Sequence, residues 1–341
     1  MRIVKFQPTL LDSLSKESFF LTLKKHIQVM KNSKLVKDPM IFGILKIEKN
    51  KYISSLENIL EHENNWLEYI QQKFDFYEVY GKNEWGEVMS TGYYEPHVRG
   101  SHQMSSEFSQ PLYSTPKDLK GSWVKYYTRK EIDSDNKLRN QNLELAWLDP
   151  IDAYFIQIQG SGLVEFEDGA KVRFGFDHKN GHPYGALGKY LQDVIPKEKM
   201  SMQTIKKYLK TLNHFEQQEV FNKNPSYVFF RKLENETLTY AGMEVSPGRT
   251  IASDLRYFPK GALAFLDIEE PQFENISEIE PKSWLRLPRL VFDQDTGGAI
   301  KGGGRVDLYF GSSESDAQKA GVMKQNGKLY YLVPKNENNL L

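Results

Sequence analysis

The sequence predicts a mainly β protein with helices at the start and in the middle of the chain. Aromatic residues make up 13% of the 341 residues, and aromatic side chains favour strands. After residue 76, short apolar stretches bounded by glycine and proline follow one another, as is typical of strands and turns. Strands and helices do not alternate regularly, which argues against a doubly wound α/β fold.

Three regions predict helices. In residues 15–34 apolar side chains recur at helical spacing behind Ser15, which is a suitable N-cap. Residues 56–74 form a second amphipathic segment, and residues 186–222 form a third, longer helical region. Their apolar stripes indicate packing against a core.

Most of the remaining chain predicts strands. "EVMSTGYYEP", "AKVRFGF" and "NPSYVFFRKL" have strand composition, and the chain after them reads as short strands to its end. "DAYFIQIQGSGLVEF" alternates, which predicts a strand with Gln157 and Gln159 on one face. The sequence Glu167-Asp168-Gly169 predicts a hairpin turn.

Composition excludes several classes of protein. Lys+Arg and Asp+Glu both total 45, so there is no basic excess of the kind that nucleic-acid binding requires. Cysteine is absent, which excludes disulfides, zinc fingers and a thiol nucleophile. The start lacks the apolar core of a signal peptide, and no stretch is long and apolar enough for a membrane span. We expect a soluble chain, compatible with a mature form whose leader has been removed.

Residues 292–311, "FDQDTGGAIKGGGRVDLYFG", place a loop with almost no side chains between acidic residues. The loop lacks the Gly-Lys-Ser/Thr of a phosphate-binding loop and the dinucleotide fingerprint. Glycine permits positive φ and close approach of a ligand to the backbone. The stretch therefore predicts contact with a polymer such as a glycan, with a flexible surface loop as the alternative.

Asp307 lies within the apolar strand "RVDLYF". Burial raises the pKa of a carboxyl unless the group is paired, and a general acid requires a raised pKa. A structural aspartate paired with a buried arginine explains the pattern equally well. Asp295 is the second candidate acid, and Asp293 is expected at the surface.

Further polar residues could hold a sugar. Gln157, Gln159 and Ser161 offer amides and a hydroxyl for sugar hydroxyl or N-acetyl groups, although solvated side chains at a turn are equally compatible. Ser161 lies in Gly-Ser-Gly rather than in a nucleophile elbow. "TGYYEP" supplies Thr91, two tyrosines and, in Glu95, another carboxylate for a two-acid glycosidase.

A metal site is not predicted. His178 and His182 have the spacing of a helical metal pair, but Asn180-Gly181 and Pro183 predict a turn there. We expect neither a metal ion nor an organic cofactor.

Six ordered blocks together resemble the membrane-bound lytic murein transglycosylase A (MltA) family. They are "STGYYEP", "WLDPIDAYFIQIQGSG", "VRFGF" with "NGHPYGALGKYL", "NPSYVFFR", "SPGRTIASDLRYFPKGALAFL" and "QDTGGAIKGGGRVDLYFG". The resemblance covers residues from about 88 to 334. The first 80 residues carry little of it.

The resemblance implies a double-psi β-barrel domain and a smaller inserted β domain, with a groove between them. The discontinuous barrel domain is expected at residues 1–100 and 239–341, and the inserted domain at 101–238. The family fold assigns the N-terminal helices to the barrel domain.

The resemblance also implies an activity on peptidoglycan. The family cleaves the β-1,4 bond between N-acetylmuramic acid and N-acetylglucosamine, with attack by the muramyl C6 hydroxyl and formation of a 1,6-anhydro product. The family's catalytic aspartate matches Asp307, which would serve as both general acid and base, and its helper aspartate matches Asp295. The triple glycine Gly302–Gly304 departs from the usual pattern there.

The remaining expectations follow from this resemblance and the groove it implies. The expected partner is the peptidoglycan glycan strand. The family location is the periplasm, at the outer membrane through a lipidated cysteine, whereas this sequence shows neither a leader nor a lipobox. A hydrolytic two-carboxylate glycosidase and a non-catalytic glycan-binding protein are the alternatives. The expected sugar-binding residues are Tyr94, Gln159, Ser161, Gly162, Tyr184, Lys301 and Tyr309.

Overall fold

The computed structural model describes residues 1–81, 84–120, 125–234 and 238–335. Helices α1 to α9 are, in chain order, Lys16–Asn32, Lys49–Glu61, Trp66–Lys73, Arg129–Asp133, Pro150–Gln159, Leu187–Tyr190, Met202–Leu209, His214–Phe221 and Glu314–Val322. Strands β1 to β18 are Arg2–Ile3, Met40–Phe42, Leu45–Ile47, Phe74–Glu78, Glu87–Tyr93, His97–Ser101, Gln110–Tyr113, Glu144–Leu148, Ser161–Phe166, Lys171–Lys179, Val228–Leu233, Thr250–Ala252, Ala262–Asp267, Glu269–Gln272, Ser283–Arg286, Arg289–Asp295, Arg305–Tyr309 and Lys324–Pro334. The protein is therefore mainly β with helices, as predicted.

Two compact units divide the chain. Among the described residues, the first comprises those in 1–93, 238–311 and 323–335, and the second comprises those in 94–234 and 312–322. Each unit has its own sheet. The predicted domain bounds differ from these units in two places, because residues 94–100 and residues 312–322, which contain α9, were assigned to the barrel domain and belong to the second unit. Residues 336–341 of that prediction lie outside the described ranges.

The first unit is a closed barrel. Among the described residues its sheet runs β1-β4-β18-β13-β16-β12-β17-β5, and β5 pairs again with β18. Strand β18 is long enough to pair with β4 through Tyr330–Pro334 and with β5 through Lys324–Lys328. Two pairs, β12 with β16 and β17 with β5, are parallel. This closed, mixed sheet is the double-psi β-barrel.

The N-terminal helices cover the barrel as their sequences predict. The hydroxyl of Ser15 accepts a hydrogen bond from the backbone N–H of Ser18 and begins α1. Phe19 of α1 stacks on Trp66 of α3 and on Phe292 of β16. These apolar contacts connect the helices to the barrel core.

The second unit is built on a six-stranded sheet in the order β11-β10-β9-β6-β8-β7, counted over the described residues. Strands β9 and β10 form the predicted hairpin, with Gly169 in the left-handed region at φ +83°. A bridge between Ser114 and Phe230 brings the two outer strands of the sheet together. Its core includes Leu148, Ile156, Val164 and Phe174.

One strand prediction is wrong. Residues 152–159 of "DAYFIQIQGSGLVEF" belong to α5, and only Ser161–Phe166 form a strand. The carboxylate of Asp149 caps α5, Pro150 occupies its first turn, and Gly160 ends it at φ +84°. Because Tyr154, Phe155, Ile156 and Gln157 are all buried, the alternation of apolar side chains does not report a strand.

The helical region at 186–222 is confirmed as α6, α7 and α8. Helix α9 was not predicted, because Ala317, Ala320 and Gly321 give it little apolar periodicity. No helix in the described part of the chain is both long and apolar enough to cross a membrane.

Candidate active site

Four neighbouring strands bring the two candidate acids onto one face of the barrel sheet. Asp307 of β17 pairs in register with Thr91 of β5 on one side and with Ala252 of β12 on the other. Ala252 in turn pairs with Asp295 of β16, just past a register shift between Ile251 and Ala252. Tyr93 lies two residues after Thr91 on β5 and shares its face, and its hydroxyl contacts Asp295, which places both acids on that face. The two aspartates are separated by one strand, roughly 10 Å between Cα atoms at the usual strand spacing.

The carboxyl of Asp307 has close polar partners on its own strand and on β5. The hydroxyl of Thr91 donates a hydrogen bond to Oδ1 of Asp307. Arg305, two residues earlier on β17, places Nε at 3.1 Å from Oδ1 and Nη2 at 3.4 Å from Oδ2. The Asp307 side chain remains 15% exposed. Asp307 is thus paired with an arginine, but the Arg305 side chain is 27% exposed and is not the buried partner that the structural alternative requires.

Burial raises the pKa of Asp307 above the ordinary aspartate value, while the Arg305 guanidinium and the Thr91 hydroxyl oppose part of that increase. The net direction is upward, so the acid form is favoured relative to an exposed aspartate. Burial is the leading cause of the increase, as the sequence analysis expected of a carboxyl within an apolar strand, and the described hydrogen-bond partners of Asp307 are Thr91 and Arg305.

Asp295 ends β16 in a separate set of contacts. Its Oδ1 accepts the backbone N–H groups of Tyr240 and Thr296, each at 2.9 Å. The hydroxyl of Tyr93 lies 3.2 Å from Oδ2. Burial raises the pKa of Asp295, and these hydrogen bonds together with the charge of Lys260 oppose the shift.

Tyr93 links the surroundings of the two acids. Its ring centroid lies 5.2 Å from that of Tyr309, and the two tyrosines pair in register between β5 and β17. Burial and then the negative charge of Asp295 raise the pKa of Tyr93, with a smaller contribution from Asp307. Tyr93 is therefore a neutral hydrogen-bond donor at physiological pH. In the sequence analysis Tyr93 is one of the two tyrosines of "TGYYEP", and its contact with Asp295 was not predicted.

The glycine-rich loop between the acids is anchored at two points. The N–H of Gly302 donates to the carboxylate of Asp254 at 2.8 Å, and Nη1 of Arg305 donates to the carbonyl of Ala299 at 3.0 Å. Gly302 has φ +86°, and a Cβ added to Gly298 or Gly302 would meet no atom within 4 Å. These positions present bare backbone, as the sequence predicted. Lys301 between them is exposed.

Asp293 is not at the surface, where the sequence analysis expected it. It is fully buried, and its carboxylate lies 2.6 Å from Nζ of Lys260. The hydroxyls of Ser253 and Tyr331 donate to the same carboxylate, each at 2.5 Å. Since Asp293 and Asp295 are two residues apart on β16, this buried ion pair supports the strand end that carries Asp295.

Exposed aromatic side chains flank the site within the same unit. Tyr240, whose backbone contacts Asp295, is 41% exposed. Tyr257 is also exposed and follows Asp254, the residue that anchors Gly302. Sequence analysis missed both tyrosines, although Tyr257 lies inside one of the blocks that carried the resemblance. Exposed rings beside the candidate acids are suited to stacking on sugar faces.

Comparison with known proteins identifies the family of the chain. The family model "MltA specific insert domain" matches residues 89–231, and the "3D domain" model matches residues 249–333. The membrane-bound lytic murein transglycosylase A of Escherichia coli strain K12 is 32% identical over 263 residues, which are 76% of this chain and 69% of that protein. The chain belongs to the MltA family. The protein of the same name from Vibrio cholerae is 31% identical over 75% of this chain and 68% of its own length.

A solved structure shares the fold of this family member. The crystal structure of Escherichia coli MltA with bound chitohexaose superposes with a TM-score of 0.78 at 24% identity. The match covers 98% of this chain and 94% of that one. The barrel and the second β unit are therefore the MltA architecture.

The second unit of this MltA family member holds the other sugar-binding candidates. Gln159 ends α5, and its Oε1 accepts the N–H of Tyr94 at 3.3 Å. Ser161 begins β9 and is partly exposed, as is Gln159. Gln157, in contrast, is buried and accepts a hydrogen bond from Arg129 at 2.8 Å. The two glutamines therefore do not share an exposed face, because they lie on a helix.

Three of the predicted sugar-binding residues, Tyr94, Gly162 and Tyr309, are buried. Tyr94 and Tyr309 are each only 5% exposed, so neither ring offers an open stacking face. Gly162 is buried, and a Cβ there would lie 2.8 Å from Cδ1 of Ile156, which indicates a packing role. Tyr184 is exposed and remains a candidate.

The alternative carboxylate, Glu95, is buried and lies 3.0 Å from Nε of Arg173. Asp295 and Asp307 belong to the barrel unit, whereas Glu95 belongs to the second unit.

His178 lies on β10 and His182 beyond its end, so they do not form a helical pair. A search of the described residues finds no group of ligating side chains suited to a metal ion.

Proposed function

We propose that this chain cleaves the β-1,4 bond between N-acetylmuramic acid and N-acetylglucosamine in peptidoglycan and releases 1,6-anhydro-muramyl products. The observation that carries the proposal is Asp307, a partly buried carboxyl with a raised pKa beside bare glycine backbone. Membership of the MltA family supports the same activity. The Escherichia coli relative was solved with bound chitohexaose, a linear sugar polymer.

One carboxyl suffices for this reaction. Protonated Asp307 gives its proton to the glycosidic oxygen as the C1–O bond breaks and its electron pair stays on that oxygen. The resulting carboxylate then accepts the proton of the muramyl C6 hydroxyl as its oxygen bonds to C1. Because the nucleophile belongs to the substrate, no second carboxylate must activate water. The attack is intramolecular, and orientation alone can supply up to ~7–11 kcal/mol.

The surrounding groups have distinct supporting roles. Asp295 is the proposed helper. It accepts hydrogen bonds from the Tyr93 hydroxyl and from the backbone N–H of Tyr240, and so orders the end of β16 near the acid. The bare backbone at Gly298 and Gly302 gives the glycan strand room to approach. Lys301, exposed on the same loop, is suited to a muramyl carboxylate or stem peptide.

Binding by the second unit is the less direct part of the proposal. Gln159 and Ser161 supply amide and hydroxyl groups at the junction of α5 and β9, and Tyr184 supplies an exposed ring. The partner that we propose is the glycan strand of peptidoglycan, and the place of action is the periplasmic side of the outer membrane. The curated relatives are named as membrane-bound.

Digestion of purified sacculi tests the activity. We expect soluble products one water lighter than hydrolytic fragments and without a reducing end, measured by mass spectrometry with and without borohydride reduction. Products that borohydride reduces would identify a hydrolytic glycosidase instead. An inert wild-type protein that still binds sacculi would identify a non-catalytic glycan-binding protein.

A stacking role for Tyr240 gives a separate prediction. Tyr240→Ala should raise KM for soluble glycan strands by about two- to tenfold, which corresponds to loss of one aromatic contact of ~0.5–1.5 kcal/mol. Its backbone N–H, which contacts Asp295, is retained, so kcat should change little. Tyr240→Phe is the matched control and should keep the wild-type KM. Equal KM values for Tyr240→Ala and wild type would remove this residue from the binding surface.

A further inference from the structure

The guanidinium of Arg305 connects three parts of the site. It contacts the carboxyl of Asp307, lies 3.3 Å from the hydroxyl of Thr91 on β5, and donates to the carbonyl of Ala299 at 3.0 Å. Arg305 and Asp307 are two residues apart on β17, so their side chains share one face of the sheet. One side chain therefore joins the acid, the adjacent strand and the glycine-rich loop.

The two oxygens of Asp307 are held unequally. Oδ1 accepts from the Thr91 hydroxyl and from Nε of Arg305 at 3.1 Å. Among the described residues, the recorded contact of Oδ2 is Nη2 of Arg305 at 3.4 Å, near the limit of a hydrogen bond. A carboxylic acid carries its proton on the oxygen that accepts fewer hydrogen bonds. That oxygen here is Oδ2.

We propose that Arg305 is a positioning residue that, with Thr91, holds Oδ1 of Asp307 so that Oδ2 carries the transferred proton. This inference rests on the proposed transglycosylase function. In the first half of the reaction the proton moves from Oδ2 to the glycosidic oxygen, and the C1–O bond breaks. In the second half the C6 hydroxyl proton moves to Oδ2 as O6 bonds to C1. Asp307 ends as it began, and no co-reactant is consumed.

Arg305 also stabilises the Asp307 carboxylate that exists between the two proton transfers of the proposed reaction. A positive charge beside a carboxyl favours its ionised form, whereas burial favours the acid form. Both act on Asp307, and burial is the larger. Among the described residues, the other titratable groups on the strands and loops around β17 include Glu87 and Tyr93 of β5, Asp254, Asp295, Lys301 and Tyr309. Lys324 of β18 pairs in register with Thr91.

Two substitutions of Arg305 distinguish the effect of its positive charge from the effect of its hydrogen-bond geometry. Arg305→Gln should raise the pKa of Asp307, because the group that favours the carboxylate is lost. The general acid then stays protonated to higher pH, so the alkaline limb of the kcat/KM profile should move upward. Arg305→Lys keeps the charge and should leave that limb near its wild-type position. Both variants should lose about tenfold to a hundredfold in kcat, since they release Oδ1 and the loop.

The measurements are the pH profile on soluble glycan strands and a carbon-13 NMR titration of the aspartate carboxyls, with Asp307→Asn used to assign the signal. Arg286→Gln is the matched control, because Arg286 makes a two-pronged pair with Asp267 in the same unit at 2.8 and 2.7 Å. Arg286→Gln should change neither the pH profile nor the titration of the Asp307 carboxyl. Thr91→Val should lower kcat without moving the limb as far as Arg305→Gln does.

The role of Arg305 can be refuted separately from the proposed function. An inert wild-type protein would refute the activity, while the NMR titration would still report whether Arg305 acts on Asp307. An active wild type with the same Asp307 titration in Arg305→Gln would refute this inference alone. Thermal unfolding of each variant checks that the barrel remains folded, and equal pH limbs in folded Arg305→Gln and Arg305→Lys would reduce Arg305 to a structural role.

Discussion

Asp307→Asn should lower the rate of glycan cleavage by about a hundredfold to ten-thousandfold, the usual contribution of one general acid or base. Asparagine preserves the size of the side chain and one acceptor oxygen, but its amide can neither give nor accept the transferred proton. Because the proposed mechanism uses the same carboxyl in both halves of the reaction, its removal should affect both. The loss should appear in kcat more than in KM, since the substitution removes an interaction made in the transition state.

The release of anhydro products from purified sacculi measures this effect. Asp75→Asn is a matched control: Asp75 also lies on a barrel strand, and burial likewise raises its pKa. It is not part of the site, so its variant should keep wild-type activity. If Asp307→Asn retained more than about a tenth of the wild-type kcat, another group would have to supply the proton, and the single-acid mechanism would be wrong.

Lys260→Met should destabilise the barrel by about 3–5 kcal/mol, the usual cost of removing one partner of a buried ion pair. The substitution leaves the carboxylate of Asp293 fully buried without its counter-ion. Ser253 and Tyr331 still donate hydrogen bonds to it, but they carry no charge. The barrel should therefore unfold at a lower denaturant concentration, although Asp307 itself is untouched.

Urea unfolding monitored by barrel tyrosine fluorescence and circular dichroism measures the difference. Arg286→Gln breaks an exposed pair with Asp267 and should cost no more than about 1 kcal/mol. The double variant Lys260→Met with Asp293→Asn should lose less stability than Lys260→Met alone, because it leaves no buried charge. Similar losses for Lys260→Met and Arg286→Gln would show that the buried pair contributes little.

Local patterns predicted the elements that depend on nearby residues. Helix α1 follows from Ser15 and the apolar stripe after it, and the β9–β10 hairpin follows from its glycine turn. The glycine-rich loop and the two acids beside it were also evident. Such features depend on side-chain spacing and backbone freedom over a few residues, which the sequence displays directly.

Predictions failed where burial came from distant parts of the chain. Residues 150–159 alternate like a strand, yet they form α5 because a buried helix can be apolar on several faces. Asp293 was expected at the surface because its partner Lys260 lies 33 positions away. Tyr94 and Tyr309 were expected to be open, but packing covers both rings.

The order of residues was enough to predict the mainly β class, the first helices and the glycine-rich loop, and the family motifs single out Asp307 as the candidate acid. Folding brings Thr91, Asp307, Ala252 and Asp295 into one row across four strands and Arg305 against the Asp307 carboxyl, which no local pattern predicts. This is because hydrogen-bond register between strands distant in sequence sets which side chains meet. Burial, which raises the pKa of Asp307, is likewise a property of the closed barrel and not of the strand that carries it.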